Sequence, residues 1–390
     1  MMSNPTTGQD WTTSFHGHFR EAFLEVIRDL RLSGLQRYPP PKTSGLLFGH
    51  EARILRRFLS AQSSLLDPSA FSEVYRSLAS SRERRLYEAF VLGEPLPPSV
   101  WSDLVGPEVF SQWRENSLLH EHDDCRVSCR FRVISIGDVT VVVDPLIVTP
   151  ISDSFPNRVH IGQDTLNLLE NLSRLAGGGR ERVLEVGPGS GMILISLARI
   201  HRDAVGIEVN PRAVRLARLN AELNRSLNCH VHEGDVFQIG TTEDAFDLVV
   251  WNAPFMFLPE TQKERNVDGY GGDLGIGVTL RFLELLPALL HPRGAAYIES
   301  TAPVLDDGEN RLEVELSSRA ARLQLDITNH VMQFFWVPKL RSFHRSHGIR
   351  RFEAVLLEIT HGSGRVERIA PHLTRRAIDT ARGWFHGARL

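Results

Sequence analysis

Between Glu185 and Asp235 the chain carries residues whose types and spacing suit a nucleotide-like ligand. The stretch Val183-Leu184-Glu185-Val186-Gly187-Pro188-Gly189-Ser190-Gly191 is an apolar run that breaks into a glycine-rich turn and resumes as the helical-looking Met192 to Ala198. Strand, tight turn and helix in that order set backbone amides and a helix N-terminus against a ligand at the carboxyl end of a strand. Glycines suit such a turn because a side chain would hold the ligand off. A second short strand, Ala204-Val205-Gly206-Ile207-Glu208, ends in an acid about 23 residues beyond Glu185, a distance that suits acceptance from two ribose hydroxyls. A third, Leu227 to His232, runs into Glu233-Gly234-Asp235-Val236, where Asp235 is placed to accept from an adenine amino group. A nicotinamide dinucleotide fits less well, because its helix wants a small residue at position 192, where Met192 stands.

The glycine stretch resembles motif I of the class I methyltransferases that use S-adenosylmethionine. That motif, E/D-x-G-x-G-x-G, is filled by Glu185, Gly187, Gly189 and Gly191. A fourth strand, Phe246 to Trp251, ends in Asn252-Ala253-Pro254-Phe255, which resembles motif IV, N/D-P-P-Y/F, of the methyltransferases that modify planar nitrogen. The chemistry accounts for the residue types. An amide or aniline-like nitrogen is a poor nucleophile because its lone pair is delocalised. If the Asn252 side-chain oxygen and the Ala253 carbonyl each accept one N–H, the lone pair turns towards the methyl group, and both dipoles favour the positive charge growing on nitrogen. Phe255 supplies a flat stacking face. Ala253 replaces the motif's first proline, keeping its carbonyl but not its stiffness.

From about Arg158 to Glu299 the order of pieces, with Asp164-Thr165 as lead-in, resembles the release-factor glutamine methyltransferase group. The resemblance implies a Rossmann-like α/β sheet and an S-adenosylmethionine-dependent methyltransferase without a metal. It implies cofactor contacts from Glu185, Gly187, Gly189, Ser190, Gly191, Glu208, Val209, Asp235, Val236 and Asn252, with catalysis at Asn252, Ala253, Pro254 and Phe255. The expected acceptor is a planar nitrogen of a small molecule or protein side chain. An RNA or DNA base is the alternative, needing an unstacked base and a continuous basic face. Small-molecule O-methylation and a non-catalytic binding protein are the remaining readings.

The elements that must position these residues read as two units. Residues 1–150 are expected to form a mostly helical accessory or substrate-recognition domain, and residues 151–390 the methyltransferase domain. Helical spacing runs from Phe15 to Leu32, Leu46 to Leu66 and Phe71 to Leu92, followed by short helices between Pro95 and Glu115. The period then changes to two over Cys125 to Ile136 and Val139 to Val143, a β-hairpin around Gly137-Asp138. The cluster His120-Glu121-His122-Asp123-Asp124 reads as a solvated loop. Asp164 caps the helix running to Leu172, begins its first turn, or touches a ligand. Trp251 is expected in the core. Beyond motif IV come a glycine-rich loop at Asn266 to Gly275, a helix from Val278 to Leu290, a strand from Ala295 to Glu299 and a helix from Arg311 to Leu323. Strands at Leu325 to Phe335 and Arg351 to Ile359 follow, which the resemblance implies form the antiparallel end of the sheet, joined by a basic, solvated connection over Lys339 to Arg350. Arg375 to Arg389 reads as an amphipathic terminal helix.

The bulk numbers bound these readings. With 390 residues, 42% of them hydrophobic, two domains with sizeable cores are expected. A net charge of -3 argues against a protein that coats polyanions. Cys125, Cys129 and Cys229 form neither a disulfide framework nor a zinc pattern. The polar start lacks a secretory core, and no run is long enough to span a membrane. A reducing, cytoplasmic setting is the expectation.

Overall fold

One helix, Pro211–Leu223, packs against two different cores and so joins the N-terminal residues to the central sheet. The computed structural model describes residues 10–32, 81–144, 158–175, 180–238, 245–266, 268–335 and 340–369. The helices expected at Leu46 to Leu66 and Arg375 to Arg389, and the first part of Phe71 to Leu92, lie outside these residues.

The N-terminal elements are α1 (Gly17–Leu32), α2 (Ser81–Leu86) with a π-turn over Tyr87–Leu92, α3 (Pro98–Val105) and α4 (Pro107–Glu115). Two short antiparallel pairs follow: β1 (Leu119–Glu121) with β2 (Val127–Cys129), and β3 (Arg132–Ile136) with β4 (Val139–Val143). Both α3 and α4 open on a proline, whose fixed φ and missing N–H suit a helix start. Their core is aromatic. Phe23, Phe90, Trp101, Trp113 and Phe131 are at most 1% exposed and meet at tilted or edge-to-face angles.

Helix α5 (Gln163–Leu175) leads into an eight-stranded sheet. In chain order its pieces are β5 (Arg182–Val186), α6 (Met192–Ala198), β6 (Asp203–Glu208), α7 (Pro211–Leu223), β7 (Cys229–Glu233) and β8 (Phe246–Asn252). There follow α8 (Gly277–Leu283), α9 (Leu286–Leu289), β9 (Leu290–Leu305), α10 (Arg311–Leu323) and β10 (Leu325–Phe335). The last pieces are α11 (Arg341–Ser346), β11 (Ile349–His361) and β12 (Val366–Ile369). The strand order is β12-β10-β11-β9-β8-β5-β6-β7, with β9, β8, β5, β6 and β7 mutually parallel and β11 antiparallel to both its neighbours. The chain leaves β5 through β6 and β7, then returns to its other side at β8. That reversal opens a crevice at the strand tips.

Alternation along the strands assigns the faces. Val183, Leu248, Val250 and Tyr297 pack with Leu168 and Leu172 of α5 and Ile193 and Leu197 of α6. Leu184, Val249, Trp251 and Ile298 pack instead with Phe282 and Leu283 of α8 and Leu312 and Leu316 of α10. Trp251 is 4% exposed, in the core as expected.

The sheet agrees with the sequence reading in being a Rossmann-like α/β sheet and departs from it in detail. The single strand expected over Cys125 to Ile136 is two, β2 and β3. The break comes where fully buried Phe131 turns into the aromatic core and Arg132 folds back to donate to the Cys129 and Phe131 carbonyls at 3.0 and 2.8 Å. The helix expected to run from Val278 to Leu290 is split into α8 and α9, because Pro287 cannot continue the helical ladder. The short strand at Ala295 extends over Leu290–Leu305, since β11 keeps pairing with it as far as Leu305. The connection taken as solvated contains α11, whose His344 is buried.

Asn220 of α7 ties the hairpin to the glycine loop. Fully buried, it accepts from Val142 N at 2.8 Å and donates to the carbonyls of Val142 and Ser190 at 2.9 and 2.8 Å. Asn220→Ala strands three buried backbone groups and should destabilise the protein by roughly 3 kcal/mol or more. Thermal unfolding of the variant beside the wild type, several degrees lower, checks this.

Candidate active site

The glycine loop folds over the tips of β5 and β6. Gly187, Gly189 and Gly191 take φ of +61°, +53° and +79°, values that side chains resist. Gly187 N donates to the Ile207 carbonyl at 2.8 Å, which pins the loop to β6. A Cβ on Gly206 would come within 2.9 Å of Pro188 and 2.7 Å of Leu194, so a glycine in that strand lets the loop settle. Around Gly189 the nearest atom to a built Cβ is 4.0 Å away, leaving the loop's outer side open. Ser190 is buried behind it.

Glu208 is 6% exposed, its two oxygens accepting from Gly189 N at 3.0 Å and Asn210 N at 2.9 Å. Burial raises its pKa, the amide bonds oppose this, and the charge of Asp268 adds to the rise. Val209 beside it is 55% exposed. At the β7 tip Asp235 accepts from Phe237 N at 2.9 Å, a turn that starts the short 3-10 segment Val236–Gln238, with Val236 buried. Glu185 faces inward to α6. It is 2% exposed, one of its oxygens has no partner, and burial pushes its pKa up to about 8, against a bond from Leu194 N and with a further push from Glu208.

At the β8 tip, Asn252 donates from Nδ2 to Asp164 Oδ2 at 2.8 Å, while its Oδ1 is buried without a partner. Asp164 lies in the first turn of α5, the second of the two helical placements expected for it, and its carboxylate is bonded there. It joins the helix start to the motif IV strand. Ala253 N donates to the Glu299 carbonyl at 3.1 Å. The Phe255 carbonyl accepts from Thr301 Oγ1 at 3.1 Å, and the Phe257 carbonyl lies 3.0 Å from His344 Nε2, so β9 and α11 hold the exit from motif IV. Burial lowers the His344 pKa, which favours the neutral ring. The glycine-rich loop after it is pinned as well: Met256 N donates to the Gly269 carbonyl at 2.7 Å, Gly271 N to the Met256 carbonyl at 2.9 Å, and Tyr270 bonds Glu260.

One acid at this tip escapes a reading of the sequence. Glu299 of β9 is in register with Asn252, is 2% exposed and has an unpartnered Oε2; burial, then the charge of Asp164, raises its pKa well above the ordinary value, against a bond from the Asn167 side chain. Its signal is an acid closing the apolar run Ala295-Ala296-Tyr297-Ile298, on the strand after motif IV. Among the described residues no group of three or more His, Cys, Asp or Glu is placed to hold a metal, and no helix is long and apolar enough to cross a membrane.

Side by side in the order β8-β5-β6-β7, these tips present an open glycine loop, paired acids and an amide oxygen awaiting a donor. The arrangement fits an adenosyl ligand carrying an amino acid, and with this sheet it defines a Rossmann-like methyltransferase. A family model described as "Methyltransferase domain" matches residues 179–331. A Methanocaldococcus jannaschii protein assigned as a protein N5-glutamine methyltransferase is 33% identical over 177 residues, covering 42% of this chain and 85% of that protein. The release factor glutamine methyltransferase of Geobacter sulfurreducens is 32% identical over 30% of this chain, which spans 44% of that enzyme. A Yersinia pestis tRNA1(Val) (adenine(37)-N6)-methyltransferase is 32% identical over 27% of this chain and 45% of its own length. The chain belongs to the class I S-adenosylmethionine-dependent methyltransferases, in the group that includes the protein N5-glutamine methyltransferases.

The Glu185 shift makes a stability prediction. An unfolded glutamate ionises near 4.5 whereas the folded one holds its proton to about 8, so the stabilisation is complete below the lower value and is lost as pH rises through the upper. The loss is at most about 1.4 kcal/mol per pH unit. Melting temperatures of the wild type should fall more steeply between these pH values than those of Glu185→Gln; parallel profiles would place Glu185 in water.

Proposed function

We propose that the chain methylates the side-chain amide nitrogen of a glutamine in a protein. The observation carrying this reading is the orientation of Asn252, its nitrogen bonded to Asp164 and its buried oxygen left without a donor. A primary amide offers two N–H groups in one plane, and Asn252 Oδ1 with the Ala253 carbonyl accepts both. That pairing holds the amide by its hydrogens and exposes the face of its nitrogen. The two dipoles also favour the charge that nitrogen gains on reacting. Phe255, half-buried beside them, gives the planar group a stacking surface. No strong base is called for, because the proton leaves after nitrogen has become cationic.

S-adenosylmethionine, when bound, supplies a methyl group on a positively charged sulfur. We assign its holding to the open outer side of the loop at Gly187, Gly189, Ser190 and Gly191, to the Glu208 carboxylate for the ribose, and to Asp235 and Val236 for the base, with Glu185 and Val209 beneath and beside them and Asn252 at the methyl end. The names of the relatives support a protein acceptor, and the net charge of -3 supports it over a polyanion. We take residues 1–150 as the accessory unit and 151–390 as the methyltransferase unit. Three unpaired cysteines support a reducing cytoplasmic setting.

The test uses the full chain, labelled S-adenosylmethionine and an unmethylated release factor, with bulk tRNA as a parallel acceptor. Label should enter the release factor, and a Gln→Glu change at the modified residue should abolish it. Label in tRNA alone would replace this reading with base methylation. Asn252→Ala should lower transfer by about 10²-fold or more while calorimetric cofactor affinity changes little. Glu208→Ala should do the reverse, weakening the cofactor first.

A further inference from the structure

The two ends of an asparagine amide have nearly the same shape and opposite polarity, so packing alone does not decide which end faces outward. At the β8 tip the decision falls to Asp164, since a carboxylate can only accept and must therefore meet Nδ2. A second carboxyl lies beside it. Alternation puts Asn252 on the α5 face with Leu248 and Val250, and the register sets Glu299 beside Asn252 on the neighbouring strand. Asp164 thus bonds the amide, and Glu299 stands next to that amide on the same face.

Two ionised carboxylates so close in a site of low polarity repel strongly. The surroundings of Glu299 are those of a neutral acid: it is 2% exposed, the Asn167 side chain is its bonding partner, and Oε2 is buried with none. Its register neighbour on β11 is Leu356, which brings no charge. A buried anion with a bare oxygen would be very costly, and a neutral carboxylic acid there costs far less.

We propose that Asp164 and Glu299 act as a carboxyl pair that holds one proton in total, on Glu299, and that this pair fixes the Asn252 amide with its nitrogen inward and its oxygen towards the acceptor. Both are positioning residues. The proposal deepens the reading of Asn252 as the group that accepts from the substrate nitrogen, and it limits the acceptor to one that presents N–H at this tip. It also gives a reason for an amide at position 252, where a further carboxyl would crowd a third acid into the pair.

The test reads both residues directly in the full chain. Protein labelled with 13C at glutamate carboxyl carbons should show a protonated carboxyl at neutral pH that disappears in Glu299→Gln, a comparison that separates it from Glu185. An ionised Glu299 overturns the proposal. In 15N-labelled protein the side-chain amide of Asn252, assigned by its loss in Asn252→Ala, should shift in Asp164→Ala, and its protons should exchange at least about tenfold faster. Glu299→Gln, which keeps a neutral donor, should retain the wild-type amide signature, whereas Glu299→Ala should lose it. An Asn252 amide indifferent to Asp164→Ala, or disturbed equally by both Glu299 substitutions, sinks the pair. In single-turnover transfer to a release factor, Asp164→Ala should lower the rate at least about tenfold with little change in acceptor KM. If the wild type transfers no methyl to that acceptor, the glutamine reading fails, while the two spectroscopic arms still decide the pair.

Discussion

Parallel pairing on both sides of β5 is the constraint on which the site depends. With β6 on one side and β8 on the other, the carboxyl ends of all three strands meet at one edge of the sheet. The loops leaving them diverge, and the crevice between them needs no further construction. Register then chooses the faces. Glu185 lies opposite Gly206 and Val250, and Asn252 opposite Glu299. A slip of one residue in β8 would turn Asn252 from α5 towards α8 and put Trp251 in its place. The apolar alternation through Leu248 and Val250 on one side, and Val249 and Trp251 on the other, opposes that slip with the burial of four large side chains.

Gathering polar residues at buried strand tips has an electrostatic consequence. Glu185, Glu208 and Glu299 are all at least nine-tenths hidden, and burial is the leading cause of the raised pKa in each. What separates them is the supply of donors. Glu208 receives backbone amides from the glycine loop and from the start of α7, whereas Glu185 and Glu299 each keep a bare oxygen. The same loop that opens space for a ligand thus supplies donors to the acid that faces it, while burial raises the pKa of the two acids that keep a bare oxygen, Glu185 beneath the loop and Glu299 on β9.

Much of this was legible in the sequence, because the informative features were local. The glycine run, the acids closing short strands and Asn252-Ala253-Pro254-Phe255 each announce a strand end within a few residues, and strand ends are what the fold brings together. What was not legible depends on distant partners. Nothing near Glu299 tells that Asp164, a whole half-sheet earlier, will stand over it; that follows only from α5 crossing β8 and β9. The break at Phe131 likewise follows from an aromatic core assembled by α1 and α4. The helix α11 hides in a basic stretch because its apolar contribution is confined to Leu340, Phe343 and His344, too few for a periodic signal.

The two sides of the crevice are anchored by different parts of the chain. The glycine loop is held through Asn220, and α7 in turn rests on the N-terminal aromatic core, with Arg20 gripping Glu222 at 2.8 and 2.6 Å. Motif IV is held from the opposite direction, by Thr301 of β9 and His344 of α11. A transfer reaction requires both sides to be placed to a fraction of an ångström, and each has its own outer anchor while β5 and β8 share the core between them. The N-terminal core therefore bears on the loop over β5 and β6 through α7, and the β10-β11 connection bears on the amide-holding side through His344. The tips between these anchors are held by one continuous core, in which Val183 of β5 and Leu248 and Val250 of β8 pack with α5 and α6.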